Sequence, residues 1–170
     1  MPSERASAGE IHHLTVGVSN MERSLRFYVE GLGLKKTLDT RVGGDSFERL
    51  LRLPQGSTAR TVFLQGPSRV GQIELVEWQT SIVDSTPVRR AGRVGYSVVS
   101  FSLTRNTFPL VCQQLESIGA TFWNTPEKTI LDGYGEIEAC IVEDPDGNMI
   151  ELVRLPTDEE IKEFRKGGLK

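Results

Sequence analysis

The chain contains one tetrapeptide twice, and this repeat is the feature that most constrains its fold. Ile-Glu-Leu-Val occupies positions 73–76 and again positions 150–153 of the 170 residues. Apolar and acidic residues alternate in each copy, which is typical of a β-strand with one face packed against apolar side chains. Glu74 and Glu151 are therefore expected on the face opposite the neighbouring Ile and Leu residues. Because the preceding segments also match in order, the repeat predicts two copies of one supersecondary unit, each ending in this strand.

In the first copy the pattern predicts the order strand, helix, strand, strand, strand. The opening strand, residues 11–18, alternates apolar with polar positions and places His13 on the polar face. The same alternation assigns His12 to the face opposite His13. A helix follows, and Gly31 and Gly33 are suited to end it because glycine tolerates the backbone conformation of a helix terminus. The other three strands are predicted at residues 34–41, 59–65 and 71–78.

The second copy repeats this order of elements. Its opening strand is predicted at residues 96–103, with Tyr96, Val98 and Ser100 on one face. An amphipathic helix follows this strand. The sequence Asp-Pro-Asp-Gly-Asn at residues 144–148 predicts a tight turn that joins the last two strands as a hairpin. The three later strands are predicted at residues 120–123, 136–143 and 148–154.

These elements divide the chain within one structural domain of mixed α+β class. Residues 11–79 form the first βαβββ module and residues 94–154 form the second. The remaining segments are a flexible N-terminus, a polar linker, and a short C-terminal helix with its tail, at residues 1–10, 80–93 and 155–170. Three arginines of the linker are either solvated or contact an anionic group of a ligand. They are Arg89, Arg90 and Arg93.

Composition restricts the classes of function. The chain is 38% hydrophobic and 25% charged, which are ordinary values for a globular protein. A net charge of −3 gives no electrostatic reason to expect binding to nucleic acid or to an anionic membrane. No apolar run is long enough to span a bilayer, so a cytoplasmic location is expected. Cys112 and Cys140 lie at no spacing typical of metal ligands, which favours buried free thiols over a disulfide.

Two segments, one near each end of the chain, carry a family resemblance. They read IHHLTVGVSNMERSLRFYVEGLGL and EACIVEDPDGNMIELV. They resemble the opening and closing signatures of the vicinal oxygen chelate superfamily, which includes the glyoxalase I, bleomycin-resistance, extradiol dioxygenase and methylmalonyl-CoA epimerase families. The resemblance implies two βαβββ modules whose curved mixed sheets form a cup-shaped barrel. In the metal-dependent relatives a divalent ion lies in this cup, bound by the first and last strands of each module.

Carried over position by position, the resemblance implies three metal ligands, His13, Glu74 and Glu151. A fourth ligand should stand in the second module three residues after a glycine, but Val98 occupies that position. One imidazole and two carboxylates suit Mn²⁺, Mg²⁺, Ni²⁺, Zn²⁺ or Fe²⁺, with water completing the coordination shell. The ion would act as a Lewis acid while Glu74 or Glu151, as catalytic residue, moves a proton. Because valine cannot ligate a metal, a cup without any ion is the alternative.

Each candidate residue also has a purely structural explanation. His13 could line a cavity without binding metal, and the two glutamates could form salt bridges. The candidate partners are Arg41, Arg52 and Arg60. A two-histidine iron centre of the extradiol type is disfavoured, because His12 is expected to face away from His13.

Four residues are expected to line a substrate pocket or, alternatively, to fill the interior of the barrel. They are Trp78, Tyr96, Val98 and Ser100.

The sequence thus supports one main hypothesis and one alternative. The main hypothesis is a glyoxalase-like lyase or isomerase that transfers a proton on a small oxygenated substrate, with or without a divalent ion. The alternative is a metal-free protein of the bleomycin-resistance type that sequesters a small molecule, and Val98 favours it. Homodimers are common among the relatives, although two modules in one chain could also close the cup in a monomer.

Overall fold

The computed structural model describes residues 8–79, 95–132 and 134–167. The predicted linker with its three arginines and most of the predicted flexible N-terminus therefore lie outside the described residues. The described chain divides into two compact units. Unit 1 comprises residues 8–22 and 33–79, and unit 2 comprises residues 23–32, 95–132 and 134–167. The helical residues 23–32 follow the first strand in sequence but group with unit 2.

The elements confirm a mixed α+β fold with two sheets and a C-terminal helix. In chain order they are β1 (His13–Gly17), α1 (Met21–Leu25) with a π-helical continuation (Arg26–Gly31), β2 (Lys35–Gly43), α2 (Asp45–Leu51), β3 (Thr58–Gln65), β4 (Gln72–Trp78), β5 (Val99–Leu103), α3 (Thr107–Ser117), β6 (Thr121–Phe122), β7 (Glu127–Leu131), β8 (Gly135–Glu143), β9 (Met149–Arg154) and α4 (Asp158–Gly167). None of the helices among the described residues is both long and apolar enough to cross a membrane.

Unit 1 is built on a four-stranded sheet with the strand order β1-β4-β3-β2. β1 runs parallel to β4, whereas β3 is antiparallel to both of its neighbours. Ile73 and Leu75 of the first tetrapeptide are buried, and Glu74 between them lies on the other face of β4. The apolar and acidic residues of this tetrapeptide therefore alternate for the predicted reason, because one face of the strand packs in the apolar core.

Unit 2 has the same arrangement around the second tetrapeptide. Its sheet has the order β5-β9-β8-β6, and β7 also pairs with β8. Ile150 and Leu152 are fully buried, while Glu151 is only partly buried. β7 was not predicted, and all five of its residues are exposed, so no alternation of apolar and polar positions marks it. The predicted start of β5 is wrong, because Tyr96 and Val98 precede the strand, which begins at Val99.

A buried tyrosine links the π-helical segment to the turn between β8 and β9. Tyr28 is fully buried, and its hydroxyl donates a hydrogen bond to Asp144 Oδ2 at 2.9 Å. Asp144 also accepts hydrogen bonds from two backbone amides of the turn, those of Asp146 and Asn148. Gly147 adopts a φ of 82°, a left-handed conformation that favours glycine. The turn predicted at residues 144–148 is confirmed as the hairpin that places β9 beside β8.

Replacing Tyr28 with phenylalanine is expected to destabilise the protein by about 1–3 kcal/mol at neutral pH, because a buried hydrogen bond to a carboxylate is lost. Burial, together with the Asp144 carboxylate, raises the pKa of Tyr28 well above its ordinary value. In the unfolded chain this phenol ionises near pH 10, whereas in the folded chain it stays neutral. The free energy of unfolding is therefore unaffected by this group below pH 10 and decreases as the pH rises above it. Urea unfolding from pH 8 to 11 measures both effects.

The phenylalanine variant should show a shallower alkaline decline in stability than the wild type. Tyr96→Phe is the matched control, because it removes a hydroxyl from a side chain that is 95% exposed. Equal stability profiles for the two variants would contradict the assigned role of Tyr28.

The C-terminal helix is held by a reciprocal cap and an ion-pair cluster. The amide of Glu160 donates to Thr157 Oγ1, and the amide of Thr157 donates to Glu160 Oε2, which is a capping box. Arg154 at the end of β9 is almost completely buried and contacts three carboxylates. They belong to Glu136, Glu138 and Glu160. Ile161 and Phe164, the two large apolar residues of this helix, are half-buried.

The two cysteines are buried free thiols, as predicted. Cys112 on α3 and Cys140 on β8 have their sulfur atoms 4.0 Å apart. They therefore pack between the helix and the sheet of unit 2.

Candidate functional site

Each sheet places the glutamate of its tetrapeptide beside a hydroxyl group of the opening strand. Thr15 on β1 pairs with Glu74 on β4, and Ser100 on β5 pairs with Glu151 on β9. Thr15 Oγ1 donates a hydrogen bond to Glu74 Oε2 at 2.5 Å, and Ser100 Oγ donates one to the Glu151 carboxylate. In both sheets the hydroxyl residue points to the same face as the glutamate. The two copies of the tetrapeptide therefore make the same kind of contact in the structure.

The strand register also identifies the residue of unit 2 that corresponds to His13. His13 stands two residues before Thr15, and Val98 stands two residues before Ser100. Counted back from the pair of Ser100 with Glu151, Val98 just before β5 thus corresponds to His13, in agreement with the family resemblance.

In unit 1, Glu74 is surrounded by polar partners. His13 Nε2 lies 3.3 Å from Glu74 Oε2, and Thr61 Oγ1 donates to Glu74 Oε1 at 2.8 Å. Phe63, directly across from Glu74 on β3, packs its ring edge-on against His13 with 5.3 Å between ring centroids. The Glu74 side chain is 18% exposed and that of His13 is 36% exposed. The carboxylate is therefore oriented through both of its oxygens, while the imidazole beside it stays accessible.

The expected position of His12 is wrong. His12 precedes β1, so the alternation of the strand does not determine its orientation. Its Nδ1 atom lies 2.7 Å from His13 Nδ1, and its ring packs near Phe63. His13 contacts His12 through Nδ1 and Glu74 through Nε2. Since these nitrogens lie on different edges of the ring, the three side chains form a chain rather than a cluster around one point.

The other candidate residues have different surroundings. Trp78 packs against Phe47 of α2, with 6.0 Å between ring centroids. Tyr96 is 95% exposed and Val98 is 44% exposed. Their assignment to a substrate pocket stays a prediction, as does that of Ser100, whose hydroxyl is bound to Glu151.

Two of the arginines proposed as partners of the glutamates bind other groups. Arg41 donates to the Gln79 side chain, and Arg60 contacts Asp39 and Glu22. The hydrogen bond from Arg60 holds the pKa of Asp39 well below its usual range. Imidazole and hydroxyl groups, rather than these guanidinium groups, therefore contact Glu74.

The donor types at Glu74 suit a divalent ion, since imidazole nitrogen and carboxylate oxygen are common ligands of the first-row metals and Mg²⁺. Within the part of the chain that the structure describes, no group of three or more His, Cys, Asp or Glu side chains is arranged to hold a metal. Unit 1 thus offers two adjacent donors, His13 and Glu74. The assignment of Glu151 as a third ligand stays a prediction.

Sequence reasoning missed three residues that contact the candidate residues, namely Thr15, Thr61 and Phe63. For Thr15 a signal was available, because it stands two residues after His13 on the same strand face. Thr61 and Phe63 became recognisable only from the pairing of β3 with β4.

Comparisons with known proteins agree with this architecture. The chain resembles a glyoxalase family protein from Bacillus cereus (TM-score 0.72, 19% identity, 91% of this chain and 99% of that one covered). It also resembles the antibiotic-binding protein TnmS3 from Streptomyces sp. CB03234, with a TM-score of 0.58, 19% identity, and 89% of this chain and 100% of that one covered. A third similar structure is the fosfomycin resistance protein FosX from Mesorhizobium loti, with a TM-score of 0.50, 16% identity, and 88% of this chain and 90% of that one covered. A comparison with curated proteins gives no significant match. The sequence profile of one superfamily matches residues 10–152, and the chain therefore belongs to the Glyoxalase/Bleomycin resistance protein/Dioxygenase superfamily.

Proposed function

We propose that the protein is an enzyme that transfers a proton on a small oxygenated substrate, as a lyase or an isomerase does. The contact of 3.3 Å between His13 Nε2 and Glu74 Oε2 supports this proposal. An imidazole next to a carboxylate can accept a proton, because the carboxylate stabilises the imidazolium that forms. Thr15 and Thr61 hold the carboxylate in place for this role.

The proposal also covers a form with a divalent ion, which His13 and Glu74 would hold, with water and any further ligand completing its shell. A coordinated imidazole cannot accept a proton, so in that form Glu74, when displaced from the ion, would move the proton instead. When bound, the ion would polarise an oxygen atom of the substrate. The chain's own residues orient the reacting groups, since two hydroxyl groups fix Glu74 and the ring of Phe63 covers one side of His13.

Solvent exchange tests the proposed chemistry even where the product of the reaction is unidentified. The protein is incubated in D₂O with a panel of α-hydroxy and α-oxo carbonyl compounds, with and without Mn²⁺, Mg²⁺, Ni²⁺ or Zn²⁺. Deuterium entering the carbon beside the carbonyl group is followed by NMR. We expect protein-dependent exchange for at least one compound and its loss in His13→Gln. Binding of these compounds without any exchange would contradict the proposal.

A second candidate function is metal-free sequestration of a small molecule. It is favoured by Val98, which stands where the family resemblance places a further metal ligand. The similarity to TnmS3, described as an antibiotic-binding protein, adds to this alternative. Substituting Glu74→Gln separates the two functions. The proposed enzyme should lose turnover, whereas the affinity of a sequestering protein for a hydrophobic antibiotic should change only a few-fold.

A further inference from the structure

Unit 2 contains a cavity of about 310 Å³ whose lining residues differ from those of the candidate site. Three parts of the unit bound it. They are the helical residues around Arg26, the turn from Ile118 to Thr121 after α3, and the hairpin that contains Asp144. This volume lies at the lower end of the range of small-molecule pockets, about 300–1,000 Å³. A compact ligand with one ring therefore fits its size.

The two carboxylates that line this cavity already accept hydrogen bonds. Asp144 accepts hydrogen bonds from the Tyr28 hydroxyl and the Asn148 side chain, in addition to two backbone amides. Glu143 accepts one from the indole nitrogen of Trp123 at 2.8 Å. A ligand that donates hydrogen bonds would have to compete with these partners.

The cavity is also lined by two cationic side chains, those of Arg26 and Arg23. Arg26 Nε lies 3.6 Å from Glu30 Oε2, which is longer than an ordinary hydrogen bond, and more than half of each side chain is exposed. Arg23, one turn earlier on the same helix, contacts Asp146 at 3.1 Å with its own side chain 55% exposed. An exposed pair such as Arg26–Glu30 contributes little free energy, so Arg26 can exchange one carboxylate for another.

The helix changes form at the wall of this cavity. Arg26 begins the π-helical segment that extends to Gly31, and such segments are rare and frequently lie at functional sites. At the end of this segment Gly31 approaches Leu115 so closely that a Cβ atom would lie 2.5 Å from its Cδ2 atom. The segment that begins at Arg26 is therefore packed closely against α3 at its far end.

We propose that this cavity binds a small carboxylate with an apolar body, with the carboxylate held by Arg26 and Arg23. The apolar part packs against Phe27 and Ile118, which also line the cavity. Arginine matches a carboxylate because its planar fork can donate two parallel hydrogen bonds. The site is separate from the His13–Glu74 pair, so its occupancy does not depend on the proposed enzymatic function.

Titration of the ¹⁵N-labelled protein with benzoate tests this assignment by NMR. We expect saturable shifts at the amides of Gly119, Ala120 and Gly147, which line the cavity. Benzamide has nearly the same shape without the charge and should bind at least about tenfold more weakly, since a charge-assisted bidentate contact is lost. Arg26→Gln should weaken benzoate binding by a similar factor.

Lys162→Gln is the control variant, because it removes one positive charge from α4. This helix packs near Gly135 at the start of β8, whereas Glu143, which lines the cavity, lies at the other end of that strand. It should leave the affinity within about twofold. Equal binding of benzamide and benzoate would overturn the proposal, as would shifts confined to other parts of unit 2. The comparison of the two ligands needs only the wild-type protein, so it decides the question even if Arg26→Gln does not fold.

Discussion

Replacing Glu74 with glutamine is expected to lower the rate of substrate deuterium exchange by about 10²–10⁴-fold, the usual contribution of a positioned acid–base group. The amide keeps the size of the side chain and can still accept from Thr15 or Thr61, but it cannot stabilise a protonated His13. The rate is measured by NMR with a compound that the wild-type protein exchanges.

Glu127→Gln is the control for this experiment, because Glu127 lies on the exposed strand β7. It should exchange the substrate at the wild-type rate. Thr15→Val should show a smaller loss, about tenfold, since one of the hydroxyl groups that orient Glu74 remains. Exchange by Glu74→Gln at the same rate as Glu127→Gln would remove Glu74 from the mechanism.

Replacing Arg154 with alanine is expected to lower the free energy of unfolding by about 2–4 kcal/mol. Its side chain is 5% exposed and contacts three carboxylates, so truncation leaves those charges crowded together and opens a gap below α4. Breaking a fully buried ion pair costs about 3–5 kcal/mol, and partial exposure of the three glutamates reduces this figure. Urea unfolding of unlabelled protein gives the value directly.

Lys128→Ala is the matched control, because Lys128 contacts the same Glu136 carboxylate at 3.0 Å but is 60% exposed. Its removal should cost less than about 1 kcal/mol. If both variants lost the same stability, the Arg154 cluster would contribute no more than an ordinary surface pair. Added salt should weaken the effect of Lys128 more strongly than that of Arg154, because exposed charges are screened more.

Alternation of apolar and polar residues predicted the strands that have one buried face. The strands that carry the two tetrapeptides appear at β4 and β9, and the hairpin turn at residues 144–148 is present. β7 was missed because its residues are all exposed and its position depends on pairing with β8. The π-helical form of residues 26–31 was also missed; at its end Gly31 lies so close to α3 that a Cβ atom would meet Leu115, a contact distant in sequence.

For the candidate site, the sequence by itself determined that Glu74 and Glu151 lie opposite the apolar face, because alternation of side chains is a property of each extended backbone. It also determined that His13 has no imidazole counterpart in unit 2, since the chain contains only two histidines and Val98 holds the equivalent position.

Only the tertiary structure decided which groups touch these side chains. Thr61 and Phe63 reach Glu74 and His13 through the register of β3 against β4, and the His12 ring turns toward His13 outside the strand. The physical reason is that strand pairing and the packing of residues beyond a strand end depend on contacts distant in sequence, which local periodicity does not encode.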